Sequence, residues 1–349
     1  MKFLKTYGRL LTYFLVVLMP AGVLRSQANV DPFAFFQPSV TITADERAKL
    51  AGGSPIARVL QAQGSEIALL AAVPVNADGD RLVAWMRRIE EFKKNPDVLA
   101  IRRFSDPPRI EDLNGLELDG DDLAAIQSCQ PGKCDLKLSA GEMTELQQQT
   151  GGSEGVQQAF RRLVLKRVQE YLSSGQIPPN EDHHKEVLPE SRFESLLQNT
   201  PFLSDHLPQI VEGLREKPMK STPEVESFLY WSKEHLGRKA MISVTQVVIV
   251  RGNEENGLPD AVAVGKDVFA THYIDASLSV TALIRDDAAR RNYLVYLNRT
   301  DVDVLHGVFR GTIRWEIDRR LKDASRVLEV TRQRLESGPP PESDSSKSQ

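Results

Sequence analysis

The stretch over residues 268–284 constrains this chain most. Ala270, His272, Ile274, Ala276, Leu278 and Val280 fall on one side of an extended strand, and Thr271, Tyr273, Asp275, Ser277 and Ser279 fall on the other. A strand with one apolar side must hide that side against a second layer. The sequence offers one downstream, because over residues 304–335 Phe309, Ile313, Ile317, Leu321, Ala324 and Leu328 form one stripe of a long amphipathic helix. A period of two in the strand and one near 3.6 in the helix each leave an apolar side to cover, and the simplest arrangement packs one on the other. His272 is then the single titratable group on a buried surface. Such a group either orients a ligand or is satisfied by a backbone carbonyl or by Tyr296.

The remaining segments complete an α+β pattern. Residues 241–251 and 293–298 read as further strands of an antiparallel sheet, with residues 261–264 left open between strand and loop. Upstream, Thr43 and Glu46 make a capping box for a short helix, and residues 56–61 and 66–75 read as a hairpin across a Gly64-Ser65 turn. Leu82, Trp85, Met86, Ile89 and Phe92 recur at helical spacing over residues 79–94, and residues 98–104 form a strand. Residues 142–237 read as mostly helical, with helices over 156–172, 191–197, 203–214 and 222–236. The expected organisation is therefore an N-terminal α+β part (29–140), a helical insertion (141–238), a sheet with its long helix (239–336) and a disordered tail (337–349).

Residues 1–28 carry a secretory signal pattern. Lys2, Lys5 and Arg9 precede an apolar run over residues 10–24, and Ser26-Gln27-Ala28 supplies small residues for cleavage after Ala28. An uncleaved anchor is the alternative, although the run is interrupted by Pro20 and Gly22 and a span wants roughly 20 apolar residues. The expectation is an exported protein, periplasmic or extracellular, with no stable membrane span after cleavage. Residues 1–28 hold four positive charges and no acids, so their removal takes the formal charge from −4 to −8. That balance argues against nucleic-acid binding. In an oxidising compartment Cys129 and Cys134, the only two cysteines, should pair across the Pro131-Gly132 turn. The loop is too short for more than about 2 kcal/mol of chain-entropy stabilisation. A redox pair would want two intervening residues rather than four.

Two composition clusters invite a metal reading and fail it. Asp119-Gly120-Asp121-Asp122 lacks the spacing of a calcium loop and reads as the solvated start of a helix. His183 and His184 are adjacent on a polar loop, without the fixed geometry that a structural metal needs. No metal and no cofactor is therefore expected.

The early strand and helix, the later antiparallel strands and the terminal amphipathic helix together resemble the START-like, helix-grip superfamily. The run at residues 68–77, ahead of the helix bearing Trp85, is similar to the opening of that superfamily. The Cys-x-Pro-Gly-x-Cys-Asp-x-Lys-Leu stretch at 129–138 and Thr271-His272-Tyr273 are also similar to those of a group of exported bacterial proteins, a likeness that implies no activity. The helix-grip resemblance implies a curved antiparallel sheet wrapping the C-terminal helix, with a cavity between them for an apolar small molecule or lipid. On that reading His272, Ile274, Tyr296, Phe309 and Ile313 are candidate ligand contacts. An envelope hydrolase is the first alternative, with His272, Asp275, Asp301, Asp303 and His306 as raw material, but no G-x-S-x-G, H-E-x-x-H or S-x-x-K motif surrounds them. The second alternative is a module docking an unidentified protein partner through Phe193, Leu196, Leu197, Phe202 and Leu203 if these are exposed rather than core.

Overall fold

Local chemistry sets the first elements in the computed structural model, which describes residues 31–182, 185–215, 221–222, 224–236, 239–252, 257–303 and 310–339. The segment with the expected signal pattern and most of the C-terminal tail lie outside the described residues. Thr43 accepts from the Glu46 amide while Glu46 accepts from the Thr43 amide, so the expected capping box opens helix α1 (Ala44–Ala51). Strands β1 (Ile56–Leu60) and β2 (Glu66–Val75) form the antiparallel hairpin. Asp78 caps α2 (Gly79–Arg87) through the Arg81 amide, and α3 (Ile89–Phe92) and β3 (Val98–Arg103) follow.

The middle of the chain is less helical than its spacing suggests. It holds α4 (Gly120–Ser128), α5 (Ala140–Gln147), α6 (Gly152–Ser174) and α7 (Pro189–Gln198). The helix expected over 203–214 is two, α8 (Pro201–His206) and α9 (Pro208–Arg215), because Pro208 can start a helix but cannot continue one. A small hairpin pairs β4 (Asn180–Asp182) with β5 (Lys185–Val187), and His183 and His184 between them lie outside the described residues. The helix expected over 222–236 is instead strand β6 (Val225–Leu236). Its Phe-Leu-Tyr-Trp run satisfies helical spacing by being apolar throughout, and the aromatic content favours a strand buried on both faces.

Strands β7 (Lys239–Arg251), β8 (Ala261–Ala270), β9 (Ile274–Asp286) and β10 (Arg291–Val302) precede the last helix, α10 (Arg310–Ser337). The stretch 268–284 is thus two strands joined by a tight turn at Thr271–Tyr273. Tyr273 adopts a φ of 62°, in the left-handed region that lets the chain reverse. The alternation ran through the turn without a break in parity, which hid it.

Eight strands form one open antiparallel sheet in the order β1-β2-β10-β9-β8-β7-β6-β3. One face packs Ala68, Leu70, Val264, Leu278, Val280, Val295 and Leu297 against the Phe33–Ile42 segment and α7, α8 and α9. The apolar side of β9 is therefore covered by the helices of the middle segment and not by the C-terminal helix. Phe193, Leu196, Leu197, Phe202 and Leu203 supply that cover, each at most 3% exposed, so none is a surface anchor. Farther along the same sheet, Leu229, Trp231, Val244 and Phe269 meet Phe160, Leu163 and Tyr171 of α6. The opposite face carries Val73, Val75, Val247, Ala263, Leu283 and Leu294 under α2, joined by Leu328 and Leu335 of α10. The end of α10 is tied there by hydrogen bonds, Trp85 Nε1 donating to the Arg334 carbonyl (2.8 Å) and the Arg334 guanidinium to the Phe92 carbonyl (2.7 Å). No described helix is long and apolar enough to cross a membrane.

Candidate functional site

His272 sits in the β8–β9 turn and is 3% exposed. Its Nδ1 lies 2.7 Å from the Asp135 carbonyl, which can only accept, so that nitrogen carries a proton. Its Nε2 faces the Asp122 carboxylate at 3.1 Å. Asp122, expected on a solvated helix start, is 3% exposed. Burial pushes its carboxyl up, but the bond and charge of His272, with Lys239 at 3.3 Å, outweigh that and hold it below the usual carboxylate range. Lys239 also reaches Asp135 at 3.1 Å.

The neighbouring acids are equally engaged. Lys137 enters from the segment after the disulfide, donates its amide to the Thr271 carbonyl (2.9 Å), and pairs its ammonium with Asp275 and, at 2.9 Å, with Asp303. Burial works against the Lys137 ammonium, but the two carboxylates outweigh it and raise its pKa. Burial raises Asp275, with Asp303 and Asp301 adding to it against Lys137. Asp301 accepts from the Ser65 hydroxyl (2.9 Å) and lies in β10. His306 lies outside the described residues. With His272 hydrogen-bonded at both ring nitrogens and Asp275 and Asp303 paired with Lys137, these groups pin the turn to the Asp122 and Lys137 segments and do not converge on a nucleophile. Among the described residues, no group of three or more His, Cys, Asp or Glu is arranged to hold a metal ion.

Cys129 and Cys134 form the expected disulfide. It fixes the approach to Asp135 and Lys137, the residues that hold the turn. In native protein, alkylation without reductant is expected to label neither cysteine; mass spectrometry showing both labelled would refute the pairing.

The other face of the sheet gathers a different set of side chains. There Tyr296 stands opposite Thr281, and Thr281 opposite Ala263. In the next row Asn298 faces Ser279, Ser279 faces Gly265 and Gly265 faces Val247. Thr245 faces Asp267 on one side and Tyr230 on the other. Alanine, glycine, serine and threonine in the central strands leave a trough between the bulkier Tyr296 and Tyr230. Gly265 keeps its centre open, because a Cβ there would displace the Ser279 hydroxyl.

The electrostatics of this trough are those of a surrounded yet accessible surface. Tyr296 keeps 37% of its surface open, while burial pushes its phenol up to about 12. Tyr296 thus stands partly open among crowded neighbours, beside the small residues of β9 and β8. Its hydroxyl makes no hydrogen bond among the described residues. Asp267 accepts from the Thr245 hydroxyl at 2.6 Å, and burial, only partly opposed by that bond and by Lys93, pushes it up to about 6. Lys93 donates to Glu234 (2.7 Å) and to the Tyr230 hydroxyl (3.1 Å). Burial works against that ammonium, and Glu234 and Tyr230 overcome it, so its pKa rises well above the ordinary value.

Of the five contacts expected from sequence, Tyr296 alone lies on this trough. His272 belongs to the turn network. Ile274 is half-buried and lines a small recess with Arg167, Asn180 and Asp275. Phe309 and the side chain of Ile313 lie outside the described residues. Asp267 was missed, although the sequence carried a signal: Lys266-Asp267 interrupts the otherwise apolar run 261–270, and adjacent charges in a buried strand must face opposite sides. No protein-family model and no curated protein matches this chain.

Proposed function

We propose that this chain is an exported binding protein that takes up a small molecule or lipid over the Tyr296 face of the sheet. The observation that carries the reading is Tyr296 itself, accessible, crowded and with an unused hydroxyl beside small residues that leave room. The element order supports it. Strand β2, a helix pair, β3, the antiparallel strands β6 to β10 and a terminal helix follow the helix-grip pattern, with residues between β3 and β6 as the insertion. The disulfide and the leader pattern support export. The ligand differs from the apolar one implied by the resemblance. Hydroxyl, amide and carboxylate groups along β7 to β10 ask for a molecule with a polar part, and Leu69, Ala71 and Val247 on the same face suit an apolar remainder.

Native mass spectrometry of protein purified from its own cell envelope should show a bound mass that denaturation releases. In parallel, fluorescence of the neutral dye Nile red should rise with wild-type protein and fall at least several-fold in Thr281→Trp, whose indole would fill the trough beside Tyr296. A bare protein mass together with equal dye signals from both proteins would sink the reading.

A further inference from the structure

We propose that the trough recognises a ligand bearing a protonated amine, with Asp267 as its counter-charge; this rests on the reading of the trough as a binding site. Charge balance on the face leads there. Lys93 and Glu234 neutralise one another at 2.7 Å. Asp267 has hydroxyl donors in Thr245 and Ser277 and feels Lys93, but among the described residues it has no cation within ion-pair distance. Its ionised form therefore leaves one uncompensated negative charge in a crowded place, which an incoming ammonium would neutralise.

The surroundings fit the same chemical class. An ammonium has three donors and no acceptor. The unused Tyr296 hydroxyl offers an acceptor on the neighbouring part of the face, and its ring offers a surface for a cation. Tyr296 feels the charges of Asp267, Lys93 and Glu234, and Asp267 feels those of Lys93 and Glu234, so the four share one electrostatic environment. With Asp267 titrating at about 6, it is ionised at pH 7.5 and ready to pair. An anionic ligand would meet a carboxylate there, and a wholly apolar one would desolvate it without return.

Two dansyl probes with one fluorophore and opposite charge test this. Monodansylcadaverine carries a primary ammonium, and dansylglycine carries a carboxylate. At pH 7.5 the amine probe is expected to bind wild-type protein at least about tenfold more tightly, as a charge-assisted hydrogen bond in a partly desolvated site provides. Asp267→Asn should bring the two probes to within about twofold, and Asp267→Glu should restore the preference. Circular dichroism on each variant checks that the sheet is formed, and the wild-type comparison stands even if a variant misfolds. Equal binding of both probes to wild-type protein, or an amine preference that survives Asp267→Asn, would overturn the amine assignment and leave the binding-site reading standing. Failure of both probes to bind would remove the amine assignment and the binding-site reading together.

Discussion

Replacing Lys137 by methionine is expected to destabilise the protein by about 3–5 kcal/mol at neutral pH, the usual cost of stranding buried charge. Asp275 and Asp303 share this ammonium, and all three side chains are at most 14% exposed. Methionine keeps much of the volume and removes the cation, so the loss is electrostatic. Its pH dependence has a defined sign. Asp275 already titrates above its unfolded value because burial outweighs Lys137. Without the lysine, Asp275 is pushed further up, so the folded state holds more protons than the unfolded one over a wider range above the ordinary carboxylate pKa. The variant should therefore lose stability as pH rises out of the acid range, and its deficit relative to wild type should shrink at pH 4.5. Urea denaturation at pH 4.5 and 7.5 measures both. An equal deficit at the two pH values would mean that packing, not charge, is what Lys137 contributes.

Lys266→Met should do the opposite and stabilise the protein at pH 7 by about 1–2 kcal/mol. Lys266 is 1% exposed, with its ammonium donating to the Leu214 carbonyl at the end of α9 (2.6 Å) and lying over the rings of Phe193 (4.7 Å) and Tyr171 (5.3 Å). Burial lowers its pKa to about 8, and only Glu190 opposes the shift. A depression of that size corresponds to about 3 kcal/mol of penalty on the charged form, against which the lost bond to Leu214 costs about 1–2 kcal/mol. Because the folded pKa lies below the unfolded one, native protein binds fewer protons between about 8 and 10.5, and wild-type stability rises with pH across that window. The methionine variant should lack this rise. Denaturation at pH 7 and 9.5 decides the matter, and a variant weaker than wild type at pH 7 would show that the ammonium is worth more to the α9 terminus than its burial costs.

Much of the fold was legible wherever a local rule acts alone. The Thr43 and Glu46 capping box, the β1–β2 hairpin and the amphipathic α2 each depend on neighbours within a few residues. Strand β6 was misread because a run such as Phe228-Leu229-Tyr230-Trp231 has no polar residue to set a period. The turn at Thr271–Tyr273 was hidden by preserved parity between Ala270 and Ile274. Asp122 and Lys137 were invisible as partners of His272 and Asp275, since they are 150 and 138 residues away and ion pairing leaves no periodic trace. For the trough, the sequence showed the small polar side of β9 in Ser277 and Ser279. It could not show that this side shares a recess with Tyr296 and Asp267, because that depends on register with β10 and β8.

The pairing of β2 with β10 also fixes when this molecule can finish folding. Glu66 and Arg299, bonded across the neighbouring strands, are 233 residues apart in the chain. The hairpin formed by β1 and β2 has no other route into the sheet, so it must wait for almost the entire polypeptide to arrive. Such long-range closure makes assembly slow relative to a chain built from local contacts. Until β10 is available, the β1–β2 hairpin has no strand to join, so one edge of the sheet is the last part of the fold to close.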